Sequence, residues 1–166
     1  MTSSAKSIVV VGIGNSLLTD DGAGIHTLER FEAANTDESV DCIDGGTVGL
    51  ALLERLAGLD GLVALDAMKL GKAPGTVTVL LDEDMDTHLR RQKGSVHEVG
   101  LSDLMDALRL RGELPRHRAL IGIEPADMNW GTEPTEPVAA AVPEAAARAQ
   151  TLVRAWRRRA PSKEQP

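Results

Sequence analysis

Cysteine and aromatic residues are scarce in this chain of 166 residues. The first shortage excludes two kinds of site, and the second limits which side chains can build the core. A single cysteine, Cys42, rules out a disulfide framework and a zinc site built from cysteines. Aromatic residues make up only 2% of the chain, so the core must consist of Val, Leu, Ile, Ala and Met. Cys42 lies in the run V-D-C-I-D and is predicted to be a small buried hydrophobic residue, not a nucleophile.

Long apolar runs and an excess of positive charge are lacking as well. No stretch approaches the roughly 20 apolar residues that a membrane span needs. The polar start M-T-S-S-A-K leads into no signal-peptide cleavage site, so we expect a cytoplasmic protein without membrane contact. The net charge of −7 argues against a nucleic-acid partner, because nucleic-acid binding needs a basic surface.

Apolar, β-branched runs alternate along the chain with helical patterns. Strands are predicted over 8–11, 39–43, 62–65, 76–81 and 118–123, and helices near 25–31, 48–57, 101–110 and 137–159. This alternation predicts an α/β fold, a three-layer α/β/α sandwich around a mainly parallel, roughly five-stranded twisted sheet. We expect residues 1–160 to form a single domain and residues 161–166 to be a frayed tail.

The first strand continues into the run G-I-G-N-S-L-L-T-D-D-G-A-G, residues 12–24. Its first two glycines match a dinucleotide-binding fingerprint, but Leu17 stands where the third glycine belongs. The carboxylates of Asp20 and Asp21 would also repel a pyrophosphate from the positive end of the following helix. A nucleotide site is therefore disfavoured, and Asp20 is predicted to cap that helix.

Three side chains are predicted to meet at one edge of the sheet. Ligands of parallel sheets bind beyond the carboxyl ends of the strands. Asp21 follows the first strand, Asp66 ends the third, and His97 precedes a helix from which it can reach the same edge. Two carboxylates and an imidazole suit a divalent transition ion, without choosing among nickel, zinc and manganese. Taken singly, Asp21 could cap a helix or complement the dipole at its N-terminus, and His97 could be a surface residue. Their convergence at one edge of the sheet favours a metal site.

Five motifs, in order along the chain, carry a resemblance to a known family. They are G-I-G-N-S-L-L-T-D-D-G-A-G (12–24), D-G-G-T-V-G-L-A-L-L (44–53), L-D-A-M-K-L-G-K-A-P-G-T (65–76), S-V-H-E-V-G-L (95–101) and G-I-E-P-A-D-M-N-W-G (122–131). Together they resemble the hydrogenase maturation endopeptidases, which trim the C-terminus of the large subunit of nickel–iron hydrogenases. The run after Trp130-Gly131, T-E-P-T-E-P, departs from the Leu-Ser-Pro-like run of the family, in a region that shapes substrate choice.

The resemblance implies an aspartyl-type endopeptidase whose metal-contacting and catalytic positions are Asp21, Asp66 and His97. It implies that the partner is the large-subunit precursor and that the nickel is supplied by that precursor. Cleavage would follow a basic residue near the last metal-ligating cysteine motif of that subunit. The isolated protein could hold another divalent metal.

Four further residues are predicted to line the substrate cleft: Asn15, Gly45, Gly46 and Thr47. The glycines would let a peptide backbone approach closely, although an ordinary tight strand–helix turn explains them equally well.

Two mechanisms remain open from the sequence. The ion could activate a bound water molecule, or Asp21 or Asp66 could act as general base while the ion stays in the precursor. The chain has no G-x-S-x-G motif or Ser-His-Asp arrangement, which disfavours covalent catalysis. Two other functions are a nickel-binding checkpoint module that docks without cutting and a general aminopeptidase-like hydrolase.

Overall fold

A five-stranded sheet forms the centre of the computed structural model, which describes residues 8–46, 49–92 and 96–159, without the side chains of 96–99. The strands are β1 (Ile8–Ile13), β2 (Val40–Gly46), β3 (Gly61–Ala67), β4 (Val77–Leu81) and β5 (His117–Ile123). They are arranged in the order β2-β1-β3-β5-β4. All neighbours pair in parallel except β4, which runs antiparallel to β5. The connection from β3 to β4 is too short for the helical crossover that a parallel strand requires.

Helices cover both faces of the sheet. They are α1 (Ala23–Ala34), α2 (Leu53–Leu56), α3 (Asp82–Arg91), α4 (Val96–Leu110) and α5 (Glu136–Arg159), with short 3-10 turns at Thr19–Gly22 and Leu50–Leu52. Helices α1 and α5 pack on one face, where Phe31 and Val153 belong to the same buried cluster. Helices α2, α3 and α4 cover the other face with side chains such as Leu56, Met85 and Leu104. The predicted three-layer α/β/α sandwich is therefore confirmed.

Three segments differ most from the sequence-based expectation. The helix predicted over 48–57 is reduced to a 3-10 turn and the single turn of α2, with Leu50 66% exposed to solvent. Strand β2 continues through 44–46, which were predicted to form a turn, because the ladder with β1 extends to Gly46 across a bulge. Helix α4 begins at Val96, so His97 lies inside its first turn and not before it.

A close approach between α1 and two strands fixes the geometry of the carboxyl edge of the sheet. A Cβ atom at Gly24 would lie 2.1 Å from the carbonyl oxygen of Leu65 and 2.4 Å from that of Ile13. Only glycine lets the first turn of α1 come this near the ends of β3 and β1. Among the described residues, no helix is both long and apolar enough to cross a membrane.

Candidate active site

Asp21 lies in the 3-10 turn that follows β1, and its side chain is held by the preceding loop. The residue is 4% exposed, and its Oδ2 atom accepts a hydrogen bond from the backbone N–H of Asn15 at 2.9 Å. Gly14 makes this loop possible: its φ is +126°, and a Cβ atom there would lie 1.9 Å from the carbonyl oxygen of Asp21. The glycines of the first motif therefore serve to turn the chain and place Asp21.

Asp66 occupies the carboxyl end of β3, directly opposite Gly122 of β5. It is 6% exposed, and its Oδ1 atom accepts a hydrogen bond from the N–H of Ala67 at 2.8 Å. The 3-10 turn that carries Asp21 contacts β3. Two buried carboxylates of different segments are thus brought to the same edge of the sheet, as the sequence predicted.

Helix α4 brings the backbone of His97 toward this edge. The loop after α4 lies at the amino edge, where the N–H of Gly58, just before β3, donates to the carbonyl oxygen of Glu113 at 2.9 Å. A helix of 15 residues is about 22 Å long, so the first turn of α4 lies near the carboxyl edge. The imidazole of His97 and all of Thr47 lie outside the described residues.

Among the residues whose side chains are described, no group of three or more His, Cys, Asp and Glu is placed to hold a metal ion. That set contains Asp21 and Asp66 but not the imidazole of His97. The donor chemistry of these two residues nevertheless suits a divalent ion, since both are carboxylates oriented by backbone hydrogen bonds. Their use as metal ligands stays a prediction.

The predicted cleft residues have partners within the fold itself. Asn15 is half-buried, and its Oδ1 atom accepts the N–H of Leu17 at 2.9 Å, which closes a local turn. A Cβ atom at Gly45 would lie 2.9 Å from Cγ2 of Val11, so packing against β1 already requires glycine there. Gly46 has a φ of +51°, which favours glycine. Whether these residues contact a substrate stays a prediction.

Asp20 was predicted to cap the following helix, and this prediction is wrong. Neither the 3-10 turn nor α1 has a side-chain cap. Instead, the fully buried carboxylate accepts hydrogen bonds from a loop more than 100 residues away: from the N–H groups of Ala126 at 2.8 Å and Asp127 at 3.0 Å, and from the N–H and hydroxyl of Thr135, both at 2.7 Å. Burial alone would raise the pKa of Asp20, but these hydrogen bonds outweigh it and hold the pKa below its ordinary value.

Glu124 has a similar supporting role at the end of β5. Its two carboxylate oxygens accept the N–H groups of Leu70 at 2.8 Å and Gly71 at 3.1 Å, in the loop that follows β3. The residue is buried, and its carboxylate thereby ties together the segments that leave the third and fifth strands. Of the acidic residues at this edge, Asp20 and Glu124 therefore hold loops, whereas Asp21 and Asp66 are anchored by nearby backbone N–H groups.

Cys42 is poorly suited to act as a nucleophile. It is partly buried in β2, and burial together with the nearby charges of Glu32 and Asp41 raises the pKa of its thiol to about 11. The reactive thiolate is therefore rare at neutral pH. Its partial exposure differs slightly from the fully buried position that the sequence predicted.

Comparison with known proteins agrees with the architecture and with the motifs. The family model for hydrogenase maturation proteases matches residues 25–151. The hydrogenase expression/formation protein HupD of Rhizobium leguminosarum bv. viciae is 35% identical over 154 residues, which cover 92% of this chain and 76% of that protein. The hydrogenase 2 maturation protease of Escherichia coli K12 is 39% identical over 132 residues, covering 77% of this chain and 80% of that protein.

A solved structure shows the same fold at similar identity. The hydrogenase maturating endopeptidase HybD from E. coli matches with a TM-score of 0.85 and 34% identity, over 90% of this chain and 93% of that one. The family match covers far more than half of the chain, and the two curated relatives exceed 30% identity over most of its length. This chain therefore belongs to the hydrogenase maturation protease family, whose members are hydrolases with endopeptidase activity.

Proposed function

We propose that this protein removes the C-terminal extension of a nickel–iron hydrogenase large-subunit precursor and recognises the nickel already bound in that precursor. Membership of the family supports the cleavage reaction. The observation that carries the recognition step is the placement of Asp21 and Asp66 at one edge of the sheet, each oriented by a backbone hydrogen bond. His97, from the first turn of α4, completes the proposed ligand set.

In this proposal the nickel belongs to the substrate and does not reside in the free enzyme. When bound, it offers a positive charge that polarises a nearby carbonyl group or water molecule. The chain contributes the rest: Asp21 and Asp66 fix the position of the precursor, and a carboxylate of this pair accepts the proton of the attacking water. A covalent intermediate on Cys42 is disfavoured by its raised pKa. We also propose that the reaction takes place in the cytoplasm.

The experiment compares nickel-loaded with nickel-free precursor and reads the intact mass of the large subunit after incubation. We expect loss of a C-terminal peptide from the loaded form alone. Cleavage of both forms at equal rates would contradict nickel recognition, and an unchanged mass in a stable complex would indicate the docking module instead. An unrelated peptide serves as a further substrate, whose cleavage would indicate a general hydrolase.

Three substitutions and one control variant test which residues form the site. Asp21→Asn, Asp66→Asn and His97→Gln should each reduce cleavage of the loaded precursor by more than about 100-fold while the chain stays folded. Asp103→Asn is the matched control, because this aspartate is exposed on α4 and should leave the rate unchanged. Calorimetric titration of the free chain with Ni²⁺ provides a second measurement, since any binding should be weakened by the same three substitutions and not by the control.

A further inference from the structure

Two large apolar side chains are exposed next to each other at the carboxyl edge of the sheet. Trp130 is 81% exposed and Leu17 is 54% exposed. Their segments are joined by a short parallel bridge: the N–H of Gly131 donates to the carbonyl oxygen of Leu17, and the N–H of Thr19 donates to that of Gly131, both at 2.9 Å. We call the two side chains the Leu17–Trp130 ridge.

The backbone under this ridge is held in place from both sides. Asp20 receives hydrogen bonds from both ends of the 126–135 loop, and its own N–H donates to the carbonyl oxygen of Asp127 at 3.0 Å. The hydroxyl of Thr19 donates to the carbonyl oxygen of Asn129, next to Trp130. A buried carboxylate thus stabilises a loop that leaves a tryptophan in solvent. An aromatic side chain on a backbone fixed in this way loses little conformational freedom when a partner binds.

The ridge adjoins the candidate active site. Leu17 lies two residues after Asn15, whose N–H holds the carboxylate of Asp21. The ridge joins the segments that follow β1 and β5, and β3, which carries Asp66, lies between those two strands. A polypeptide that reaches Asp21 and Asp66 from this side therefore meets Leu17 and Trp130 first.

The charge around the ridge selects the kind of partner. The two segments that build it, 7–29 and 119–147, contain no Lys or Arg. Glu133 and Glu136 are exposed within a few residues of Trp130. Among the described residues, Lys69 and Lys72 lie in the loop after β3, outside these two segments. An apolar surface with an acidic border favours a partner that is apolar at its centre and positively charged around it, and it disfavours a second copy of this acidic chain.

We propose that the Leu17–Trp130 ridge is the docking surface on which the precursor binds, through an apolar side chain flanked by basic residues. The inference rests on the proposed function, because the precursor is its partner. The contact forms before the chemical step and persists through it. It therefore contributes binding energy equally to the bound substrate and to the transition state, which sets KM and leaves kcat unchanged.

The test is the cleavage kinetics of nickel-loaded precursor with ridge variants. Trp130→Ala should raise KM by about 10- to 30-fold, as expected for an exposed anchor residue, with kcat within about twofold of the parent chain. Leu17→Ala should raise KM by a smaller factor, and Trp130→Phe should recover most of the loss. Leu110→Ala is the matched control, since Leu110 is 90% exposed at the amino edge of the sheet, away from the ridge.

The possible outcomes separate the two proposals. If the parent chain cleaves the precursor and Trp130→Ala keeps its KM, the ridge proposal is wrong while the proposed function stands. If the parent chain cleaves no precursor, the proposed function fails, and the docking proposal fails with it. If Trp130→Ala converts a dimer to a monomer in sedimentation and leaves KM unchanged, the ridge is a contact between copies and the proposal is overturned. A KM of the parent chain that rises with added salt supports the acidic border, because salt screens the attraction between its carboxylates and the basic residues of the precursor.

Discussion

Thr135 donates two hydrogen bonds to the buried carboxylate of Asp20, one from its backbone N–H and one from its hydroxyl, each 2.7 Å long. These two residues are 115 positions apart in the chain. Their contact joins the turn after β1 to the loop that leads into α5. The same turn carries Asp21, so the position of one proposed site residue depends on a hydrogen-bonded anchor beside it.

Removing that carboxylate should destabilise the protein strongly. Asp20→Ala would leave three backbone N–H groups and a hydroxyl without their acceptor, and hydrogen bonds to charged groups contribute about 1.5–3 kcal/mol each. We expect the free energy of unfolding in urea to fall by more than about 3 kcal/mol. Thr135→Val removes only the hydroxyl and should cost about 1 kcal/mol. Equal losses from the two substitutions would contradict this account of the anchor.

The Asp20 anchor should also weaken in acid. Because its pKa is lower in the folded protein than in the unfolded chain, the unfolded chain binds the proton more readily. The stabilisation is therefore complete above the ordinary pKa of 3.8 and is lost as the pH falls through the folded value. We expect the difference in unfolding free energy between the parent chain and Asp20→Asn to be largest near neutral pH and to shrink below about pH 4. A difference that does not vary with pH would rule out ionised Asp20 as the anchor.

Much of the fold could be predicted because its signals are local. The run at 8–11 and the apolar residues at 62–65 are buried on both faces of the sheet, and such strands lack a polar side in the sequence. The helix expected over 48–57 illustrates the limit of this reasoning. Its leucines have helical spacing, but Leu50 faces solvent and only Leu56 is fully buried in the one turn that forms.

The different roles of the adjacent residues Asp20 and Asp21 could be predicted from the sequence only in part. The rule that ligands bind at the carboxyl edge of a parallel sheet predicted that Asp21 and Asp66 would lie at the same edge. The partners of Asp20 lie in 126–135, and no pattern near Asp20 indicates them. A local rule therefore assigned that residue to a helix cap. Contacts between distant segments leave no periodic signal in a single sequence.

Cys42 should be a slow target for thiol reagents. With a pKa of about 11, only about one molecule in a thousand carries the thiolate at pH 8, against roughly a quarter for an ordinary cysteine. We expect iodoacetamide to label the folded chain at pH 8 at least about 10 times more slowly than the same chain unfolded in urea, because the greater nucleophilicity of a more basic thiolate offsets part of its scarcity. Mass spectrometry measures both rates. Similar rates in the two conditions would contradict the effect of burial and of the neighbouring carboxylates on this thiol.

The close approach of α1 to the sheet predicts that Gly24 cannot tolerate a side chain. In Gly24→Ala the new methyl group would meet the carbonyl oxygens of Leu65 and Ile13 at 2.1 and 2.4 Å, and both acceptors belong to backbone that the sheet holds in place. Relief would require α1 to move away from β1 and β3, and the turn that positions Asp21 would move with it. We expect a loss of more than about 3 kcal/mol in unfolding free energy.

Gly49→Ala is the matched control for this loss, because nothing lies within 4 Å of the added atom and its φ of −134° suits any residue. That substitution should change the unfolding free energy by less than about 1 kcal/mol. Chemical denaturation of both variants, followed by circular dichroism, measures the contrast. If Gly24→Ala unfolded at the same urea concentration as Gly49→Ala, the close packing of α1 on the strand ends would not be what positions the candidate site.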